Sequence, residues 1–228
     1  WTDVAYTLQW GQVVGFTGYL IGGAWLALQM AFLAFVGGIA IATINATVLS
    51  YSKNRVLRTV VSSYVAFFMN TPVLVQIFFL FSALPEMGVF LSSYQAVLLG
   101  LTLNVSGYLT ETLRAGFQSV RKAEIEAAET LGMSVTQMTW HVILPHVIRV
   151  LYPPLSNQYI LLTMTTSIAS IFGLEELTGR AYNVSAETYR SFEAFSMSAV
   201  LYVVLTLVAS AVLWLIGRYV FRVKARLV

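Results

Sequence analysis

Five stretches of this chain carry no Asp, Glu, Lys or Arg: residues 4–52, 59–85, 87–110, 150–174 and 194–217, with lengths of 49, 27, 24, 25 and 24. About 20 apolar residues in a helix cross the hydrocarbon core of a bilayer, so every run is long enough to span one. Composition agrees, with 58% hydrophobic and 10% charged residues, against roughly 45–50% and 25% in soluble domains. A soluble globular domain and a disordered chain are both excluded. The 13 basic residues form no long cluster, which argues against nucleic acid as a partner. With no cysteine in the sequence, disulfides, thiol nucleophiles and Cys-ligated metals are excluded too. The chain begins at Trp1 rather than Met, so residues upstream of it are expected in the native protein. No positively charged stretch precedes Thr17, so no cleavable signal peptide is expected.

We expect five transmembrane helices, at about 20–50, 59–83, 89–112, 150–173 and 194–217. The glycines at 11, 15, 18, 22 and 23 mark an entry segment or a helix-packing surface. The loops test the count. Lys53, Arg55 and Arg58 follow the first span; Arg114, Arg121, Lys122 and Arg149 follow the third; Arg218, Arg222, Lys224 and Arg226 follow the fifth. Only Arg180 and Arg190 lie on the other side. The positive-inside rule puts the richer side in the cytoplasm, so the N-terminus is expected outside and the C-terminus inside.

Polar residues inside the spans are candidates for a solute pathway. In the fourth span Ser156, Tyr159, Thr163, Thr166 and Ser170 share one helical face, extended by Ser167, with Asn157 off that face. These hydroxyls either bond their own backbone and glue helices together, or wall a pathway. Pro153–Pro154 is expected to set the start of this helix. The third span ends with Asn104, Glu111 and Arg114. An intramembrane Glu is a functional candidate, and a partner three residues away can neutralise it; the alternative is that both sit at the cytoplasmic interface.

Residues 121–149 form a cytoplasmic loop far longer than the 2–8 residues a helix connection needs. A helix over about 122–131 is expected to stop at Gly132. A second, N-capped by Ser134, is expected to end before Pro145. A protrusion of this kind suits docking to a partner or lying on the membrane surface.

Within it, Glu126-Ala127-Ala128, then Gly132, Val142 and Leu144-Pro145 at their present spacing, resemble the EAA signature of ABC importer permeases, which usually has Ile at the position of Val142. Asn70-Thr71-Pro72-Val73-Leu74-Val75-Gln76 is similar to the Arg-Gly-Thr-Pro-Leu-Leu-Val-Gln segment of polar amino acid permeases, and residues 157–170 resemble their following span, with its Thr-Ser pair at Thr166-Ser167. Glu111 and Arg114 match a Glu and Arg common there. Departures are Met69-Asn70 for Arg-Gly, Ala123-Glu124 for Gly-Gln, and Met164 for a frequent basic residue. The likeness is to the histidine/arginine/glutamate/opine type, covering most of the chain.

The resemblance implies an all-α integral membrane protein with the type I ABC importer permease fold. It implies one transmembrane permease domain over 1–228 with the coupling loop at 121–149, in a bacterial cytoplasmic (inner) membrane. It implies a subunit that is not an enzyme and binds no cofactor itself. An identical or homologous permease completes the pathway, two copies of an ABC ATPase bind the ATP and Mg²⁺, and an extracytoplasmic solute-binding protein delivers the solute. Glu126, Ala127, Ala128, Gly132, Leu144 and Pro145 would couple to the ATPase. Asn104, Glu111, Arg114, Asn157, Thr163, Thr166, Ser167 and Ser170 would serve the pathway. The chain itself lacks the GxxxxGK[ST] phosphate loop. His141 and His146 are its only histidines and lack the HExxH pattern, so no metal site is expected. A passive channel is the competing reading, which the EAA spacing disfavours.

Overall fold

The computed structural model describes residues 6–221, all helices and connections. A short helix α1 (Trp10–Val14) leads into α2 (Thr17–Tyr51). Next come α3 (Arg55–Asn70), α4 (Val73–Phe78) with wider and tighter turns running on to Met87, and α5 (Ser93–Gln118). The loop region holds α6 (Lys122–Thr130) and α7 (Val135–Met138). The chain then completes α8 (Leu144–Thr165), α9 (Leu177–Thr188) and α10 (Ser191–Tyr219).

Among the described residues, α2 and α10 are each long and apolar enough to cross a membrane unaided. Two further candidates are bent: α3 with Val73–Met87, by 106°, and Val135–Phe172 with α9, by 47°. The first bend corrects the expected straight span over 59–83. Pro72 has no N–H to continue the ladder and drives the preceding residue out of helical geometry; Thr71 is extended, at φ −115° and ψ 139°.

The carbonyls freed at this break are met by side chains. Asn70 and Thr71 donate to Ala66 O and Phe67 O. Phe68 O receives Asn104 Nδ2 at 2.9 Å and Gln76 Nε2 at 3.2 Å, and Met69 O receives the Tyr108 hydroxyl at 3.2 Å. Without water in the hydrocarbon, each such carbonyl left bare would cost several kcal/mol. Asn104 therefore holds the broken span together.

Small residues set the main packing. The buried positions of α2 include Ala27, Ala31, Ala34, Gly38, Ala42 and Ala46, three or four residues apart, a stripe that lets α5 approach closely. At Gly38 a Cβ would come 2.5 Å from Val105 Cγ1. This cluster extends through Val97, Leu101, Val105 and Leu109 to Leu151 and Leu162 of α8. A second cluster joins Leu20 and Ala24 to Leu177, Ala181, Val184 and Ala194. There Gly23 lies so close that a Cβ would sit 2.9 Å from backbone atoms of Glu176 and Leu177.

Two further expectations are corrected. Pro153 and Pro154 lie inside α8, which begins at Leu144 with Pro145 in its first turn. The helix after Ser134 does not end before Pro145. It passes through a wide i→i+5 turn over Thr139–Ile143 straight into α8, because that turn absorbs the hydrogen bond Pro145 cannot donate.

Candidate functional site

The loop segment is built from local rules. α6 begins with Glu124 in its first turn, where negative charge suits the helix dipole, and carries the exposed Lys122–Glu126 pair at 3.4 Å, worth a few tenths of a kcal/mol. It ends in a Schellman motif. Gly132 sits at φ +71°, its N–H bonds Glu129 O at 2.9 Å, and Met133 N–H bonds Ala128 O at 3.1 Å. Only glycine takes this conformation without penalty. Ser134 then opens α7 with a capping box, its hydroxyl receiving Gln137 N–H while the Gln137 side chain accepts from Ser134 N–H.

Glu126 and Ala127 are exposed, whereas Ala128 is buried within the chain's own fold; Leu144 and Pro145 are half-buried. Three apolar side chains stand in the open around the turn: Leu131 (80% exposed), Val135 (78%) and Trp140 (64%). Exposed apolar residues grouped on a structured protrusion signal a contact surface.

The candidate pathway residues do not converge on one place; Asn104 sits at the bend described above. Glu111 and Arg114 meet, with Arg114 Nη2 and Nε 2.6 and 3.0 Å from Glu111 Oε2. They line a cleft of about 430 Å³ with Leu49, Arg58, Thr59, Ser62 and Ser63. Their neighbours in this cleft come from the first turns of α3 and the end of α2. Thr163 and Thr166 are fully buried, their hydroxyls donating to Tyr159 O and Thr163 O at 2.9 and 2.7 Å. They bond their own helix and face packed neighbours. Ser170, bonded to Ser167 O, belongs to a separate cleft of about 450 Å³ at the far end of α8, with Glu175, Thr178, Tyr182 and Asn183. Asn157 is exposed and Ser167 half-buried.

Sequence reasoning missed the acidic knot at that far end. Glu176 is fully buried; it caps α9 through Gly179 N–H at 2.9 Å and accepts the Tyr202 hydroxyl at 2.7 Å. Glu193, also fully buried, accepts from Tyr6 and from Gln9 N–H. Arg180 donates to Tyr19 O at 2.6 Å and stacks over the Tyr19 ring. Their sequence signal was charge flanking a span, which by itself does not separate a loop from a buried cap. It also missed Thr59, Ser62 and Ser63, whose signal was three hydroxyls on one turn of an apolar run. His141 Nδ1 lies 2.9 Å from Gln137 O and His146 faces Glu124.

Bent spans, a small-residue helix pair and a capped protrusion make up the frame of the chain, and comparison with known proteins places it. Residues 34–222 match the binding-protein-dependent transport system inner membrane component. The chain belongs to that family. Over 174 residues it is 35% identical to a probable glutamine ABC transporter permease of Bacillus subtilis, covering 76% of this chain and 78% of that one. An L-cystine transport permease of the same organism is 38% identical over 167 residues (73% and 71%), and a nopaline transport permease of Agrobacterium fabrum 31% over 198 (82% of each). The fold matches the crystal structure of an amino acid ABC transporter at TM-score 0.86 and 32% identity, covering 93% of this chain and 99% of that one. A methionine ABC transporter in an inward-facing conformation, at TM-score 0.71 and 18% identity with the same coverage, shares the fold alone. The chain is a permease subunit of an ABC importer, a transport component of the membrane rather than a catalytic one.

Proposed function

We propose that this subunit forms half of the translocation pathway of an ATP-driven importer of polar amino acids in a bacterial inner membrane, and that α6 and α7 couple it to a separate ATPase. The observation that carries the reading is the protrusion: a nine-residue helix closed by a glycine turn and bearing exposed Leu131, Val135 and Trp140. ATPase closure would push Glu126, Ala127 and Gly132, with Ala128 seating α6 on its own chain. Leu144 and Pro145, at the head of α8, would carry the movement into the membrane. α8 runs from that point to Thr165 with Pro153 and Pro154 inside it, so a tilt at its start would reach Asn157 along one element.

The reading takes five spans, α2, the bent α3–α4 pair, α5, α8 and α10, with the N-terminus outside and the C-terminus in the cytoplasm. An identical or homologous permease would complete the pathway. Two ATPase copies would bind ATP and Mg²⁺, and an extracytoplasmic binding protein would deliver the solute. The relatives named for glutamine, cystine and nopaline transport support an amino-acid-like solute. Glu111 and Arg114 would present both signs of charge to a zwitterion leaving on the cytoplasmic side, while Asn104, Thr163, Thr166 and Ser170 would keep the surrounding helices in shape.

The test is purification of the chain from its host membrane. An ABC ATPase and a second permease should copurify, and a thermal-shift panel of amino acids on the accompanying binding protein should name the solute. Recovery of the chain with neither ATPase nor permease would overturn the reading.

A further inference from the structure

Helix α3 carries two exposed faces of opposite character. Val56, Val60 and Phe67 form one stripe, whose apolar side chains suit lipid. Arg58, Ser62, Ala66 and Asn70, four residues apart and all exposed, form a second, with Thr59 and Ser63 beside it. α3 is the first half of a bent span, and hydrocarbon is a poor neighbour for such a face. The polar stripe needs water along it. Its Arg58 end opens into the cleft of about 430 Å³ that holds Glu111 and Arg114, a volume suited to a small molecule.

The polar groups of that cleft are largely unspent. Thr59 donates to Arg55 O of its own helix, but the Ser62 and Ser63 hydroxyls have no hydrogen-bond partner among the described residues. Nor does the Arg58 guanidinium have a hydrogen bond or an ion pair among them. Arg114 gives both of its bonds to Glu111 Oε2, which leaves Glu111 Oε1 open. The hydroxyls of the fourth span differ: Thr163, Thr166 and Ser170 spend theirs on their own helix.

We propose that this cleft is a solute station on the cytoplasmic side, where Arg58, with Ser62 and Ser63, holds the α-carboxylate of an amino acid and Glu111 Oε1 holds its ammonium group. An unpaired guanidinium offers a carboxylate two parallel N–H donors, and free hydroxyls can complete its hydrogen bonds. A phosphate, free or on a lipid headgroup, would find the same Arg58 but would stand against the open oxygen of Glu111. The lining therefore selects a zwitterion over an anion. The stripe running on through Ala66 to Asn70, at the bend, gives such a solute a polar wall from inside the span to the cleft. A headgroup needs no such wall.

The inference deepens the importer reading above and rests on it, and the two fail differently. The chain has no cysteine, so single cysteines are placed at Leu49, which lines the cleft, and at Ala66, on the stripe. The complete permease–ATPase complex, with binding protein, is reconstituted in proteoliposomes of phosphatidylcholine alone or with phosphatidylglycerol. A polar methanethiosulfonate reagent is applied from the ATPase side without ATP, and labelling is read on this chain. Both positions should label. At Leu49→Cys an equimolar mixture of the common L-amino acids should slow the reaction in both lipids, and the corresponding L-amino acid amides should not. Adding Arg58→Gln should raise the concentration needed for protection about ten-fold or more, and Arg58→Lys, which keeps the charge, should raise it less. Four results would each overturn the station: no protection by amino acids, equal protection by the amides, protection conferred by phosphatidylglycerol instead, or an Ala66→Cys that does not label. Protection unchanged by Arg58→Gln would overturn the role of Arg58. ATP-driven uptake by the wild type in the same vesicles would leave the importer reading standing in all of these cases. Absence of that uptake would sink the importer reading itself.

Discussion

Gly132→Val probes the stability of α6 with no new steric contact. Gly132 sits at φ +71°, and a Cβ built there meets nothing within 4 Å, so the substitution introduces no clash in the chain. The cost is conformational: an L-residue held in the left-handed region loses about 1–2 kcal/mol, and a β-branched side chain falls at the upper end. The motif answers by opening, which releases the bonds from Gly132 N–H to Glu129 O and Met133 N–H to Ala128 O. α6 has nine residues, too few to hold a helix alone in water, so the penalty falls on the whole element. About 2 kcal/mol corresponds to a roughly 30-fold larger open population. Hydrogen exchange on the purified chain reads this as faster exchange of the α6 amides, with α5 and α10 unchanged and ATPase recovery in pull-down reduced. Gly132→Asn, which tolerates this conformation better, should lie between valine and wild type. Unaltered α6 protection in Gly132→Val would refute the reasoning, because the left-handed cap would then not be what ends the helix.

Gly23→Ala should lower the thermal unfolding midpoint in detergent by the equivalent of about 1–3 kcal/mol, the usual cost of overpacking. Gly18→Ala, whose Cβ would meet nothing, should leave the midpoint in place. Glu111→Gln and Arg114→Gln should each impair uptake with assembly intact, and a double-mutant cycle should return a coupling of about 1 kcal/mol or less for so exposed a pair; strictly additive losses would mean the two do not act together. Single cysteines at Glu187 and Glu126 should label with an impermeant maleimide from outside and inside respectively. Labelling of position 126 from outside intact cells would reverse the topology.

The helices and the protrusion were legible because their signals are local. Charge-free runs located α2, α5, α8 and α10, and Gly132 and Ser134 marked the two caps of the loop through backbone chemistry that needs no partner. What was not legible depends on contacts across the fold. The span expected over 59–83 passed over the break at Pro72, and its bend of 106° depends on Asn104, Tyr108 and Gln76 reaching the freed carbonyls from elsewhere. The Thr163 and Thr166 hydroxyls make a polar face on paper, and only packing shows that this face turns inward to bond its own backbone. Pro153–Pro154 resembled a helix start because two prolines usually are one, while the actual start at Leu144 is blurred by the wide turn before it. Arg222, Lys224 and Arg226, counted on the basic side, lie outside the described residues.

The central claim is that solute movement is driven by an ATPase acting through α6. It is tested most directly by uptake into proteoliposomes holding the purified complex, with binding protein present and ATP supplied or withheld, in wild type and in Ala127→Trp, where a bulky group stands on the exposed side of α6. The account predicts accumulation against a gradient only with ATP in the wild type. In Ala127→Trp the chain should remain in the membrane while the ATPase dissociates or hydrolyses ATP without transport. Solute equilibrating at the same rate with and without ATP, in both proteins, would contradict it and make the chain a passive channel.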